Sequence, residues 1–545
     1  MTVYAPEDKT IHFFSQYYAT PVYCYSFSEM QPTQLDFLPD SIAESLPHIV
    51  PDAMSGTVPV VLRNVGHMLM YDPTAPMLFS SGLFWLLAIF FLPVYALLKS
   101  SRTKMVVFVV CFSLYFYYKS SGIFFLMLIG TSLVDWLLSW AIFRTRRRAG
   151  KLALMWTSVC ISLSILGYFK YANFFLWNWN LMVQGNFQPL DIILPVGISF
   201  YTFQSISYVV DVYKRRITPT RSWLDYLFFL SFFPALVAGP IVRADYFLPQ
   251  LRRNRMATRA NIYGGLWLIL TGIVKKAIIA DYIAQYNDLI FNQPELYTGV
   301  QTLMGILGYT MQIYCDFSGY SDMAIGLALM MGFKLGINFD SPYQSTNLTE
   351  FWRRWHISLS SWLRDYVYIP LGGNRKGTFR TYLNNFLTML IGGLWHGAAW
   401  KFIFWGAMHG IGLAVHKACR PMLDRIPNNF FTRFVFWLMT FVYVSLLWVF
   451  FRAADFSDSI LIISNIFVDF DWRQFPQFFE VRMVWCIMMV TLVIFHFIPQ
   501  SIADRCRAAF VRLPWMFKLI IFLLVIQLVI EYMSEEVAPF IYFQF

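Results

Sequence analysis

Apolar stretches recur along most of the chain, and short polar or basic loops separate them. From residue 77 onward they fall near 80–98, 105–118, 122–143, 152–176, 191–212, 260–281, 298–316, 382–399, 401–416, 433–451, 482–499 and 515–533. They follow at intervals of roughly 20 residues or more, the length an α-helix needs to cross about 30 Å of hydrocarbon. The loops assign sides. Lys99, Arg102 and Lys104, and then Arg144, Arg146, Arg147, Arg148 and Lys151, form short basic loops of the kind retained in the cytoplasm. The segment before the first span is then outside. The alternation continues with Lys214, Arg215 and Arg216 inside and the uncharged loop 177–190 outside. Further on, Lys376 and Arg380, Lys417, Arg420 and Arg425, and Arg505, Arg507 and Arg512 are inside; the acidic loop 455–480 and the C-terminal SEEVAPFIYFQF are outside.

Two regions depart from simple alternation. The apolar stretch 222–242 has bases on both sides, including Arg243, Arg252, Arg253 and Arg255, and Pro234, Gly239 and Pro240 break its helical pattern midway. It therefore reads as a re-entrant segment, which membranes tolerate only where protein or a cavity covers the backbone. A cavity open to the cytoplasm follows. In 317–381, DMAIGLALMMGF is short for a span, and Asp316 and Asp322 in CDFSGYSD predict a polar break between two helices. Lys275 and Lys276 interrupt an apolar span, where snorkelling or a shifted helix boundary is expected.

Composition excludes an ordinary soluble chain, since 58% of the 545 residues are hydrophobic and 13% charged. The expected fold class is all-α, a polytopic integral membrane protein with one helical domain over 77–545. Seven cysteines, with no CxxC pair, give neither a disulfide framework nor a zinc spacing. A net charge of +11 does not imply nucleic acid, because the bases lie in loops between spans and set topology. Residues 1–76 differ: eight acidic residues stand against Lys9 and Arg63, with no spanning stretch and no basic region before an apolar core. Two readings stand. Either Met77 is the initiator, or 1–76 is an acidic extracytoplasmic extension.

The chemistry concentrates between Asn347 and Gly410. In NLTEFWRRWHISLSSWLRDYVYIPLGGNRKG, residues Trp352, Trp355, Leu359, Trp362 and Tyr366 recur at steps of three and four. That spacing predicts one amphipathic helix with a broad aromatic face, lying on or in a membrane interface. His356 borders this face. A second histidine, His396, falls in a segment from Phe386 to Trp400 that has no charged residue, and intramembrane ionisable groups are costly and commonly functional. The plainer readings are an imidazole bonded across two helices for His396 and a headgroup-facing surface for His356. His409, among Gly406, Gly410 and Gly412, reads as packing; His416 and His496 read as interfacial. There is no GxxxxGK[ST], HExxH or GxSxG, and neither histidine begins an HxxxxD motif, since Ser361 and Lys401 occupy the fifth positions. Acyl transfer from a thioester to a hydroxyl needs a base that works near neutral pH, a requirement imidazole meets. A polyanionic cytoplasmic ligand would meet cytoplasmic arginines, among them Arg353 and Arg354.

The run DFSGYSDMAIGLALMMGFKLGINFDSPYQSTNLTEFWRRWHISLSSWLRDYVYIPLGGNR, then LIGGLWHGAAWKFIFWGAMHG, resembles the membrane-bound O-acyltransferase family, specifically its alginate O-acetyltransferase branch. LPVGISFYTFQSISYVVDVYKRR and FFPALVAGPIVRADYFLPQL look like the same branch, and the resemblance covers roughly 77–545. It implies a helical bundle with re-entrant segments and a central tunnel, in the bacterial cytoplasmic (inner) membrane. The essential histidine corresponds to His396 and its companion to His356. Acetyl-CoA would be the donor with no metal, and an extracytoplasmic acetyltransferase or SGNH-type partner would complete transfer to an exported polysaccharide. Alternatives are D-alanyl transfer from a carrier protein to teichoic acid and, in another class, a transporter or channel; no inverted repeat or ladder of intramembrane carboxylates favours the latter.

Overall fold

The computed structural model describes residues 68–73, 76–237, 239–253 and 257–532, and all the regular elements among them are helical. The chain divides into two compact units, 1–70 and 71–545, and everything below concerns the second. The acidic character expected of 1–76 and the sidedness of SEEVAPFIYFQF fall almost entirely outside the described residues.

The twelve apolar stretches are helical over most of their length, except 191–197. Their division into spans differs from a simple count. Among the described residues, five helices are long and apolar enough to cross a membrane, and a sixth is added if Trp472–Val481 and Met483–Phe497, bent by 103°, make one span. Two expected spans merge into the 43-residue run Arg102–Arg144, in which Gly122, at φ 57°, marks the junction. Others, such as Gly82–Leu98, are short.

Two helices form the spine. Arg259–Ile273 lies against Gly299–Met330 through four glycines, spaced by seven on each helix. A Cβ on Gly265 would sit 2.6 Å from the Gly326 carbonyl oxygen, and one on Gly272 2.6 Å from that of Gly319. Small residues at these positions bring the two backbones into contact, as membrane helices require when no hydrophobic gain drives their association.

The same interface corrects two expectations. Gly299–Met330 runs 32 residues without the break predicted at CDFSGYSD. Its acids face the neighbouring helix, where a wide turn of π type, Val274–Ala280, presents the two lysines. Lys276 Nζ lies 2.5 Å from Asp316 and 2.8 Å from Asp281, and Lys275 Nζ lies 2.7 Å from Asp322. Lys276 is buried and therefore does not snorkel. A charge in this position needs a bonded counter-charge, which Asp281 and Asp316 supply to Lys276 as Asp322 does to Lys275.

The stretch 222–242 is broken as expected. Helix Trp223–Ser231 stops at Phe232, a short turn Phe233–Leu236 follows, and the described residues to 243 are irregular before Ala244–Arg253. Its described residues are almost all buried, as irregular backbone at membrane depth must be. The aromatic helix, by contrast, is two helices, Leu348–Arg354 and Ile357–Leu363, joined through His356. Trp352 and Trp355 pack in one hydrophobic cluster and Leu359 and Trp362 in another, and all four are buried inside the protein instead of lying on lipid. His496 is also buried; its Nε2 accepts the Tyr343 N–H at 3.1 Å.

Removing one partner of a buried ion pair costs about 3–5 kcal/mol. Lys276→Met, which leaves Asp281 and Asp316 facing each other, should therefore lower the thermal unfolding midpoint in detergent more than Asp316→Asn, which leaves the Lys276–Asp281 pair. Equal midpoints for the two variants would show that the pairs do not hold the spine.

Candidate active site

His396 is the last residue of helix Thr378–His396, and the chain turns back at once into Trp400–Leu423. The two helices touch at Gly393 and Gly406: a Cβ on Gly406 would lie 2.5 Å from the Met389 carbonyl oxygen and 3.0 Å from Gly393 Cα. Glycine is thus used here for another backbone rather than for substrate. The ring of Phe402 fills the space beside Gly397. With this turn fixed, the His396 ring is 4% exposed and meets Trp405 and Phe451 edge-on, with centroids at 5.1 and 5.2 Å.

The last carbonyls of a helix have no partner in their own helix. Here the protein supplies one for each of the final three. Tyr171 OH donates to the Leu394 carbonyl at 2.8 Å, and Lys170 Nζ donates to those of Trp395 and His396 at 2.7 and 2.9 Å. Both donors come from a wide turn, Gly167–Tyr171, that interrupts the run Arg148–Val183. A cation at the negative end of a helix is also favoured by its dipole. Sequence reasoning missed Lys170, although a lone lysine in the apolar stretch 152–176 was a signal of the same kind as His396.

His356 is held differently. It caps Ile357–Leu363 in the left-handed region, at φ 42° and ψ 56°, a conformation that costs an L-residue about 1–2 kcal/mol. Asn338 compensates. Its backbone carbonyl accepts the Ile357 N–H at 2.9 Å, and its side-chain Nδ2 donates to Ser321 Oγ at 3.1 Å. That orientation turns Oδ1 towards His356, where it lies 3.1 Å from Nδ1, 3.2 Å from the Ser358 N–H and 2.8 Å from the Ser358 hydroxyl. An amide oxygen only accepts, so Nδ1 carries the proton and the buried Nε2 keeps its lone pair. Nothing in the sequence around His356 pointed to Asn338, which lies 18 residues upstream.

The structure brings both histidines against one indole. The Trp395 ring centroid is 4.9 Å from that of His396 and 6.2 Å from that of His356. Phe203 packs over Trp395 at 5.3 Å and stacks on Trp362 at 3.7 Å, which fixes the indole. His409 joins from the other side: its Nδ1 accepts from Trp352 Nε1 at 3.3 Å, and its ring lies 4.6 Å from Trp405. His416 is farther out, half-buried, with Nδ1 3.0 Å from the Thr349 hydroxyl.

A cavity of about 100 Å³ opens beside His396, lined also by Lys170, Trp395 and the start of helix Ile198–Tyr213 at Gly197 and Ser199. His356 does not line it, and neither do Arg353 and Arg354. Arg354 is engaged by Glu350 at 3.0 Å and donates to the Asp340 carbonyl at 3.1 Å, whereas Arg353 is exposed. Among the described residues no three or more His, Cys, Asp or Glu gather as a metal site.

A helical protein with several apolar spans and two imidazoles buried around a closed aromatic nest is a polytopic membrane protein with an internal polar site. The sequence model of the MBOAT, membrane-bound O-acyltransferase, family matches residues 214–454. The chain is 42% identical over 411 residues, 71% of its length and 83% of the relative's, to the "Probable alginate O-acetylase" of Pseudomonas putida. It is 39% identical over 380 residues, 65% of its length and 72% of the relative's, to the "Peptidoglycan O-acetyltransferase" of Helicobacter pylori. The "Teichoic acid D-alanyltransferase" of Bacillus subtilis is more distant, 28% identical over 285 residues, 49% of this chain and 71% of that one. The chain belongs to the membrane-bound O-acyltransferase family, and it is an O-acyltransferase.

Asn338→Ala deletes an acceptor that serves three donors and leaves buried N–H and O–H groups without it, a loss of about 1–3 kcal/mol. The variant should unfold at lower temperature and lose acyl transfer together, while Asn338→Asp, which keeps the acceptor, should retain more of both. Unchanged activity in Asn338→Ala would mean that the orientation of His356 does not matter to the reaction.

Proposed function

We propose that this enzyme moves acetyl from acetyl-CoA across the bacterial inner membrane for O-acetylation of an exported polysaccharide, with an extracytoplasmic acetyltransferase or SGNH-type partner completing the transfer. The observation that carries this reading is His396, buried at a helix end and facing a small cavity. An imidazole so placed takes the proton of the acceptor hydroxyl as the acyl carbon is attacked. His356, its Nδ1 fixed by Asn338, orients or assists from behind Trp395. Of the two arginines suited to the donor's phosphates, Arg353 is the exposed one, so the contact falls first to it. Arg354 is already held by Glu350.

Two observations support acetyl over D-alanyl. The relatives named as O-acetylating enzymes are 42% and 39% identical, against 28% for the D-alanyltransferase. The His396 cavity, at about 100 Å³, suits a short neutral acyl group, and its lysine would repel an ammonium-bearing D-alanyl. In this reading the cavity is the narrow part of a tunnel between the cytoplasmic donor and the outer acceptor.

The test is transfer of label from [acetyl-14C]acetyl-CoA in membranes carrying the wild-type chain or His396→Ala, with the extracytoplasmic fraction added. Loss of a general base costs about 10²- to 10⁴-fold, so label should fall at least 100-fold in the variant at equal amounts of folded protein. Retention of most activity by His396→Ala would sink the assignment. No label with the wild type, together with transfer from a D-alanyl carrier, would move the donor to that class.

A further inference from the structure

The wall of the His396 cavity contains a cation to which the reaction as described gives no task. Lys170 comes from outside residues 214–454, the part matched by the family model. Its Nζ meets the Trp395 and His396 carbonyls at 2.7 and 2.9 Å, and it lies 5.9 Å from the centre of the Trp395 ring. An ammonium has three N–H donors, and these two carbonyls take two of them. Lys275 and Lys276 each face an aspartate, as buried cations ordinarily do. Lys170 is different. Among the described residues no aspartate or glutamate pairs with it, and its surroundings are two neutral carbonyls, an indole face, the His396 imidazole and the cavity. A lysine kept among neutral groups beside a cavity is suited, in its protonated form, to a negative charge that arises there only during reaction.

We propose that Lys170 stabilises the oxyanion formed on the acyl carbonyl oxygen during transfer. This role rests on the reading of His396 as the base. In the step, the acceptor hydroxyl oxygen bonds to the thioester carbonyl carbon and its proton passes to the His396 imidazole. The carbonyl π electrons move to oxygen, and the resulting O⁻ accepts a hydrogen bond from the third N–H of Lys170. The C=O bond then re-forms, the C–S bond breaks, and the thiolate leaves with the proton returned by the imidazolium. Helix Ile198–Tyr213 starts at the same cavity, so the positive end of its dipole adds to the field felt by the oxyanion.

The competing role is mechanical, since Lys170 also ties down the end of the helix that carries His396. Tyr171 separates the two. It ties the same helix end through the Leu394 carbonyl yet does not line the cavity. Steady-state transfer from acetyl-CoA would be measured for purified wild type, Lys170→Met, Lys170→Arg and Tyr171→Phe, each checked for monodispersity and thermal midpoint in detergent. Loss of one oxyanion donor lowers kcat about 10²- to 10³-fold. The expected result is a loss of that size in Lys170→Met with KM for acetyl-CoA within about threefold, partial recovery in Lys170→Arg, and Tyr171→Phe within about threefold of wild type. If Lys170→Met fails to fold, a kcat for Lys170→Arg equal to that of Tyr171→Phe overturns the proposal. So does an unchanged kcat in folded Lys170→Met, or an equal loss in Tyr171→Phe. A wild type with no His396-dependent transfer overturns the reading of His396 and this proposal with it.

Discussion

A helix that ends away from water leaves carbonyls that only the protein can satisfy, and the site depends on how one such end is closed. Thr378–His396 stops inside the protein, and its last three carbonyls are met by Tyr171 and Lys170. The backbone contact between Gly393 and Gly406 fixes the approach of the returning helix. Together these hold His396 at one place and one angle, between Trp405 and Phe451. A carbonyl left unpaired there carries a desolvation cost of about 1–3 kcal/mol, which these two donors remove.

The same rule shapes the rest of the core. Lys275 and Lys276 are tolerated because Asp322, Asp316 and Asp281 approach from neighbouring turns. That approach is possible only because Gly265, Gly272, Gly319 and Gly326 let the two helices meet backbone to backbone. Glycine pattern and charge pattern are therefore two halves of one interface. Broken segments follow it too: the irregular residues after Leu236 are covered by protein, and the left-handed His356 is held by bonds from Asn338 on both backbone and side chain.

Legibility in the sequence divides along the range of the interactions. Apolar length alone located the long helices but not shorter ones such as Phe456–Asn465 and Gln500–Arg512, and the prolines of 222–242 marked a real break. A lone ionisable residue in an apolar run drew attention to His396 and its motif to His356, and the structure sets both beside Trp395. Pairings between distant elements were not legible. Asp316 and Asp322 looked like a helix break because nothing local shows that lysines 40 and more residues upstream will face them; Lys275 and Asp322 are 47 apart. The steps of three and four from Trp352 to Tyr366 read as one continuous helix, since a kink at His356 comes from Asn338 and leaves no mark on the period. Lys170 reaches carbonyls 225 and 226 residues away, beyond any local pattern.

The position of Trp395 bears on how the two histidines share the work. Both rings pack against the same indole. Only His396 lines the cavity, and only His356 has a tautomer fixed by a side-chain amide. A base must reach the reacting hydroxyl, and the proposed role of His396 agrees with its place on the cavity wall. His356 sits at 0% exposure and packs against Trp395, whose carbonyl Lys170 also binds. Trp395 thus joins His356, the lysine and the cavity wall, and its packing against Phe200 and Phe203 keeps the three in register.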